Sequence, residues 1–147
     1  GAPHWNQKAK GTIFGLTRGS TDAHIARATL DAIAYQSMDI LKAMEADAET
    51  SIKELRVDGG ATVNNTLMQF QADVLNTKTI RPKVVETTAM GAAFLAGLAV
   101  GFWESEEEIQ EIWQIDKEFH PSTEREKINT NIKGWYKAIE ALEYWTK

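Results

Sequence analysis

Leu55-Arg56-Val57-Asp58-Gly59-Gly60-Ala61-Thr62-Val63-Asn64-Asn65 decides how the chain is read. Apolar Ile52, Leu55 and Val57 lead into it, and Leu67, Met68, Phe70, Val74 and Leu75 lead out at helical spacing. The pattern predicts a strand over Ile52–Val57, a tight glycine turn, and a helix from about Asn64 to Leu75. Adjacent glycines let the backbone take φ > 0 and approach a ligand closely. The helix beyond them starts with free N–H groups and the positive end of its dipole, which suits a phosphate. Asp-Gly-Gly is equally an ordinary turn, and Asn64 is equally a good N-cap. No Gly-Lys-Ser/Thr follows, so this is not a P-loop. The G-x-G-x-x-G spacing of a dinucleotide fingerprint is absent as well.

Further stretches agree with that one in order. They are Gly1-Ala2-Pro3-His4-Trp5, Gly11-Thr12-Ile13-Phe14-Gly15-Leu16-Thr17-Arg18-Gly19, Arg27-Ala28-Thr29-Leu30 and Ile33-Ala34-Tyr35-Gln36. Leu67-Met68-Gln69-Phe70-Gln71-Ala72-Asp73 and the run Gly91 to Trp103 complete them. Together they resemble the C-terminal portion of the FGGY carbohydrate kinases over nearly the whole chain. The departures are small: His4 stands where Tyr is usual and Lys10 where Arg is usual, both away from the glycine turn.

The resemblance implies an α/β fold, part of the C-terminal ribonuclease H-like (actin-like ATPase) domain of such a kinase. It makes residues 1–147 a piece of that domain, on its nucleotide-binding side, with the N-terminal domain absent. It implies nucleotide contacts at Gly60 and Asn64, with Gly59 and Ala61 as neighbouring candidates, and ATP/ADP with Mg²⁺ as cofactor. The members whose stretches this chain shares use ATP to phosphorylate glycerol, so glycerol and ATP are the expected partners, in a cytoplasmic homo-oligomer. Xylulose or gluconate as substrate, or a non-catalytic actin-like nucleotide-binding module, are the alternatives. In these kinases the catalytic Asp and most of the substrate pocket lie upstream, so no catalytic residue and no metal ligand is expected here. Asp58 reads as well as a turn residue as it does as a functional acid.

Composition agrees. A chain of 147 residues with 43% hydrophobic residues can build a core. A net charge of −5 without a basic block argues against nucleic acid or an anionic membrane as partner. With no cysteine there are no disulfides and no thiolate metal sites. No signal peptide is visible in the polar start, and the apolar run Ala89 to Trp103, with its three glycines, is too short to span a bilayer.

The rest of the chain is read in order. Residues 1–20 form a loop with an extended piece or short strand at Thr12–Leu16. His4, with no second His or acid placed near it in sequence, reads as neither ligand nor base. Ser20-Thr21-Asp22 starts a long helix to about Ala46, its apolar face made by Ala26, Leu30, Ile33, Ile40, Leu41 and Met44. Thr77–Ile80 is a strand closed by Pro82. Thr87-Thr88 caps a third helix, about Ala89–Val100, whose small residues predict a central, buried position, since each helical Gly costs about 1 kcal/mol. Ser105 starts a short acidic helix, Phe119-His120-Pro121 is an extended break, and Glu124–Trp145 forms the last helix.

Overall fold

The computed structural model describes residues 2–147, so Gly1 of the first family-like stretch lies outside the described residues. The elements run α1 (Asp22–Ala48), β1 (Glu54–Arg56), a 3₁₀ turn (Gly60–Val63), α2 (Asn65–Leu75), β2 (Lys78–Pro82), α3 (Thr87–Ala99), α4 (Glu106–Ile112), β3 (Ile115–Phe119) and α5 (Arg125–Trp145). Thr21 caps α1, with the His24 ring nitrogen accepting the Thr21 N–H at 3.2 Å. Ser105 caps α4 by accepting the Glu108 N–H at 3.4 Å.

The sheet order is β1-β2-β3. β1 and β2 are parallel, with Leu55 opposite Thr79, and α2 makes the crossover that a parallel pair requires. β3 runs antiparallel to β2, with Thr79 opposite Phe119 and an irregularity between Arg81 and Pro82. β3 is an unexpected element: it ends at Phe119, the first residue of the expected break, and His120 and Pro121 beyond it belong to no element. Its sequence, Ile115-Asp116-Lys117-Glu118-Phe119, buries only Phe119, so no apolar alternation announces it. Charge pairs across the ladder substitute for that alternation: Arg81 with Asp116 at 2.6 Å and Lys78 with Glu118 at 3.5 Å. Lys78 also bonds Glu54 at 3.2 Å; that bond first, then one from Arg56, holds the Glu54 carboxyl below its ordinary range.

The core lies where α1, α2 and α5 meet over the sheet. Ala34, Tyr35 and Met38 of α1 pack with Leu67, Met68, Phe70, Ala72 and Val74 of α2, Phe119 of β3 and Ile128 of α5. Tyr35 is its aromatic hub, stacked on Trp135 at 5.2 Å and meeting Phe70 edge-on at 5.4 Å. Asp39, also buried, accepts the Trp135 indole N–H at 2.8 Å and the His4 ring nitrogen at 3.3 Å. It thereby ties α1 to α5 and to the N-terminal segment. A buried carboxylate needs such partners.

Three expectations are corrected. The buried face of α1 carries Ala34, Tyr35 and Met38, whereas Ile33, Ile40 and Met44 are exposed. Of the two forms expected for Thr12–Leu16 the strand is absent, and Ile13, Phe14 and Leu16 are each more than half exposed. α3 is not buried: Gly97 is its one buried residue, while Leu95 is 72% exposed and Val100, just past its end, 81%. An all-round apolar helix is the kind that large proteins bury, and nothing in the core cluster comes from α3. Its small residues have a local use at Gly97. A Cβ there would run into the Trp103 ring, which folds back across the helix with Phe94 and Phe102 edge-on to it at 5.2 and 4.8 Å.

One core position carries a stability prediction. Thr79 is completely buried on the middle strand, and its hydroxyl has no hydrogen-bond partner among the described residues. An unmade hydrogen bond on a buried group costs about 1–3 kcal/mol, and valine keeps the shape. Thr79→Val is expected to raise unfolding free energy by about 1 kcal/mol in a urea titration. A loss of stability instead would mean that the hydroxyl is satisfied.

Candidate nucleotide-binding turn

β1 delivers the chain to the glycine turn at its carboxyl end, the end at which open α/β sheets bind ligands. The ladder continues one residue further, with Val57 N–H on the Ile80 carbonyl at 3.0 Å. Gly59 then turns the chain at φ +86°, a conformation that side-chain-bearing residues avoid. Its N–H is held by the Val85 carbonyl at 2.7 Å. Asp58 neither bonds its own backbone nor faces free solvent alone: its carboxylate accepts the Thr87 hydroxyl at the start of α3. The turn is therefore pinned to the segment leading into α3 through two successive residues. Thr87, expected as a cap, is engaged there instead, and Glu86 takes the N-cap position.

The 3₁₀ turn follows. Thr62, buried, closes it by donating both its N–H and its hydroxyl to the Gly59 carbonyl, at 3.0 and 2.7 Å. The N–H groups of Gly60 and Ala61 have no partner among the described residues, as the first donors of a helix must unless a cap or ligand takes them. Both residues are exposed. Positive φ falls on Gly59 and not on Gly60, and a Cβ built on Gly60 meets nothing within 4 Å.

Asn64 reconciles its two readings. Its side-chain oxygen caps α2, accepting the N–H groups of Thr66 and Leu67 at 3.0 and 3.1 Å. Its amide NH₂ has no partner among the described residues and remains a donor. The structure thus brings Gly60, Ala61 and Asn64 together as neighbouring donors at one helix start, with Gly59 supplying the bend. That arrangement suits an anion, and the Asp58 carboxylate beside it is directed to the Thr87 hydroxyl. Among the described residues no three His or acidic side chains converge as a metal site.

Arg81 on β2 reaches the turn, a contact that the local pattern does not reveal. One guanidinium nitrogen donates to the Thr62 carbonyl at 2.7 Å and to the Asn65 side-chain oxygen at 3.0 Å, while the others hold Asp116. An Arg flanked by Ile80 and Pro82 in a strand is the only sequence trace of it. An apolar hollow of about 360 Å³ lies beside the turn, lined by Ile33 and Leu41 of α1, Leu55 of β1, and Asp58, Ala61 and Thr62. A second hollow, of about 320 Å³, lies between the N-terminal segment, α1 and α5 and includes none of the turn residues.

Comparison with known proteins supplies the context for this geometry. Residues 1–100 match the C-terminal domain of the FGGY family of carbohydrate kinases. The chain is 57% identical over 145 residues to a glycerol kinase from Burkholderia vietnamiensis and 60% identical over 145 residues to one from Chromobacterium violaceum. Each alignment takes in 99% of this chain and 29% of the relative, so the chain spans less than a third of the length of the curated relatives it matches. Among solved structures it superposes on Plasmodium falciparum glycerol kinase with ADP at a TM-score of 0.84 and 36% identity, over 96% of this chain and 28% of that one.

Proposed function

Because the chain belongs to the FGGY family of carbohydrate kinases, in its C-terminal domain, we propose that it is the nucleotide-holding part of a longer ATP-dependent glycerol kinase. The observation that carries this is the set of unpaired donors on Gly60, Ala61 and Asn64 beside the Gly59 bend. It sits in a chain that superposes on a glycerol kinase with ADP. Phosphoryl transfer is mostly positioning and charge stabilisation. The donors would seat the nucleotide's phosphates, and the sheet and α2 would hold them fixed. Mg²⁺, when bound with ATP, neutralises phosphate charge; the described residues offer it no cluster of their own. The general base and the glycerol pocket are assigned to no residue of these 147. The same reading makes the enzyme cytoplasmic and homo-oligomeric, the latter open to light scattering on the longer protein.

The test is a coupled assay of the longer enzyme with glycerol, xylulose and gluconate. Strong preference for glycerol is expected. A preference for either sugar substrate overturns the substrate assignment, and binding of ADP without turnover on any of them favours a non-catalytic nucleotide module. The 147 residues alone are expected to show no kinase activity.

A further inference from the structure

The nucleotide donors sit on a short, exposed turn, and a turn of four residues does not by itself hold a fixed position. Asp58 and Gly59 anchor its start to the segment leading into α3, and the grip on its far end comes from the sheet. Arg81 Nη1 donates to the Thr62 carbonyl at 2.7 Å and to Asn65 Oδ1 at 3.0 Å, so one nitrogen grips the chain on both sides of Asn64. Its Nε and Nη2 bond the same Asp116 oxygen at 2.7 and 2.6 Å, which stops the guanidinium from rotating away. The side chain is largely sequestered, at 11% exposure, with its guanidinium carbon 5.5 Å from the centre of the Phe119 ring. Both Nη1 hydrogens are taken, so Arg81 has little left to offer a ligand directly.

We propose that Arg81 is a positioning residue for the nucleotide: with Asp116 it clamps the 3₁₀ turn and the start of α2 to the sheet, and thereby sets nucleotide affinity. This rests on the reading of the turn as the nucleotide site. Hydrogen bonds from backbone donors to phosphate oxygens weaken steeply with misalignment, and a displacement near 1 Å in a positioned group can cost as much as a hundredfold. The planar fork is the point. A lysine keeps the positive charge and most of the stem, yet cannot grip Thr62, Asn65 and Asp116 together. If Arg81 acted only as a distant positive charge drawing phosphate in, lysine would serve.

The experiment uses the longer enzyme with Arg81→Lys, Arg81→Met and Asp116→Asn, and Gly60→Val as the reference for the turn itself. ADP affinity, KM for ATP, KM for glycerol, kcat and melting temperature are measured on the same preparations. Arg81→Lys is expected to raise the ADP Kd and the ATP KM by about tenfold, with glycerol KM within about twofold and kcat at saturating ATP largely kept. Arg81→Met is expected to do at least as much, and Asp116→Asn to shift the same constants in the same direction by a few-fold. Asp116 is exposed on the edge strand, so this variant folds and carries the test if an Arg81 variant does not. Unchanged nucleotide constants in folded Arg81→Lys and Asp116→Asn, while Gly60→Val weakens ADP, overturn the clamp and leave the turn assignment standing. Equal losses for ATP and glycerol mean a general structural role and also overturn it. A silent Gly60→Val removes the nucleotide reading on which the clamp depends.

Discussion

Gly60→Val in the longer enzyme is expected to weaken ADP binding by roughly ten- to a hundredfold while leaving the protein folded. The size follows from loss of one hydrogen bond to a charged phosphate, about 1.5–3 kcal/mol. The selectivity follows from the geometry. Gly60 does not need positive φ, and a Cβ on it meets open space, so the free protein accommodates a side chain. What the side chain obstructs is the approach of a ligand to the Gly60 and Ala61 N–H groups. Gly59→Val behaves in the opposite way. It forces a branched residue to φ +86° and costs about 1–3 kcal/mol of stability whether or not nucleotide is present. Asn64 separates its two roles by the same logic. Asn64→Asp keeps the oxygen that caps α2 and removes the amide donor, so melting temperature holds while ADP affinity falls. Asn64→Ala also loses the cap, at about 1 kcal/mol. Melting curves and ADP titrations on the four variants check all of this. Normal ADP affinity in folded Gly60→Val means that the turn binds no nucleotide.

The largest loss of stability is expected at Phe70→Ala, about 3–5 kcal/mol in equilibrium denaturation. Phe70 is 5% exposed and sits where α2 meets α1. Its ring meets the Tyr35 ring edge-on at 5.4 Å, and the Arg27 guanidinium lies over it at 5.3 Å. Removal therefore forfeits the transfer term, an aromatic pair and a cation–π contact, and leaves a cavity between two long helices that cannot easily close. For a domain whose whole stability is about 5–15 kcal/mol, that is a large share. A loss below about 1 kcal/mol would mean that the three-helix junction is not the centre of the core.

The strand–turn–helix unit was legible because its signals are local. Apolar Leu55 and Val57, the glycine pair, and an Asn ahead of the helix lie within a dozen residues of one another. α1, α2, α5 and β2 were likewise legible from periodicity and breakers. The features that escaped depend on partners distant in sequence. β3 is stabilised by Arg81–Asp116 and Lys78–Glu118 pairs across the ladder, and Asp116-Lys117-Glu118 read alone has no strand pattern. The buried face of α1 was misassigned because Ile33 and Ile40 are as apolar as the residues that do pack; only the position of α2 chooses between the faces. The apolar character of α3 was legible, but the surface that would cover it is not among these residues. Within the turn, the local pattern alone does not tell the two glycines apart: one bends, at Gly59, and the other leaves its N–H open, at Gly60. The side-chain grip of Arg81 on Thr62 and Asn65 spans too much sequence for any local motif.

The Arg81–Asp116 pair sets a timetable on the ribosome. The glycine turn is synthesised well before β3, and its crossover helix and middle strand follow at once. Yet Asp116 leaves the exit tunnel only after α3 and α4 have been made. Until then the guanidinium lacks the carboxylate that orients it, and the turn, though complete in sequence, is tethered on one side only. A nascent or truncated chain ending before β3 therefore carries Gly59, Gly60, Ala61 and Asn64 but lacks the Asp116 carboxylate that orients Arg81. The last strand completes the grip from the far side of the guanidinium.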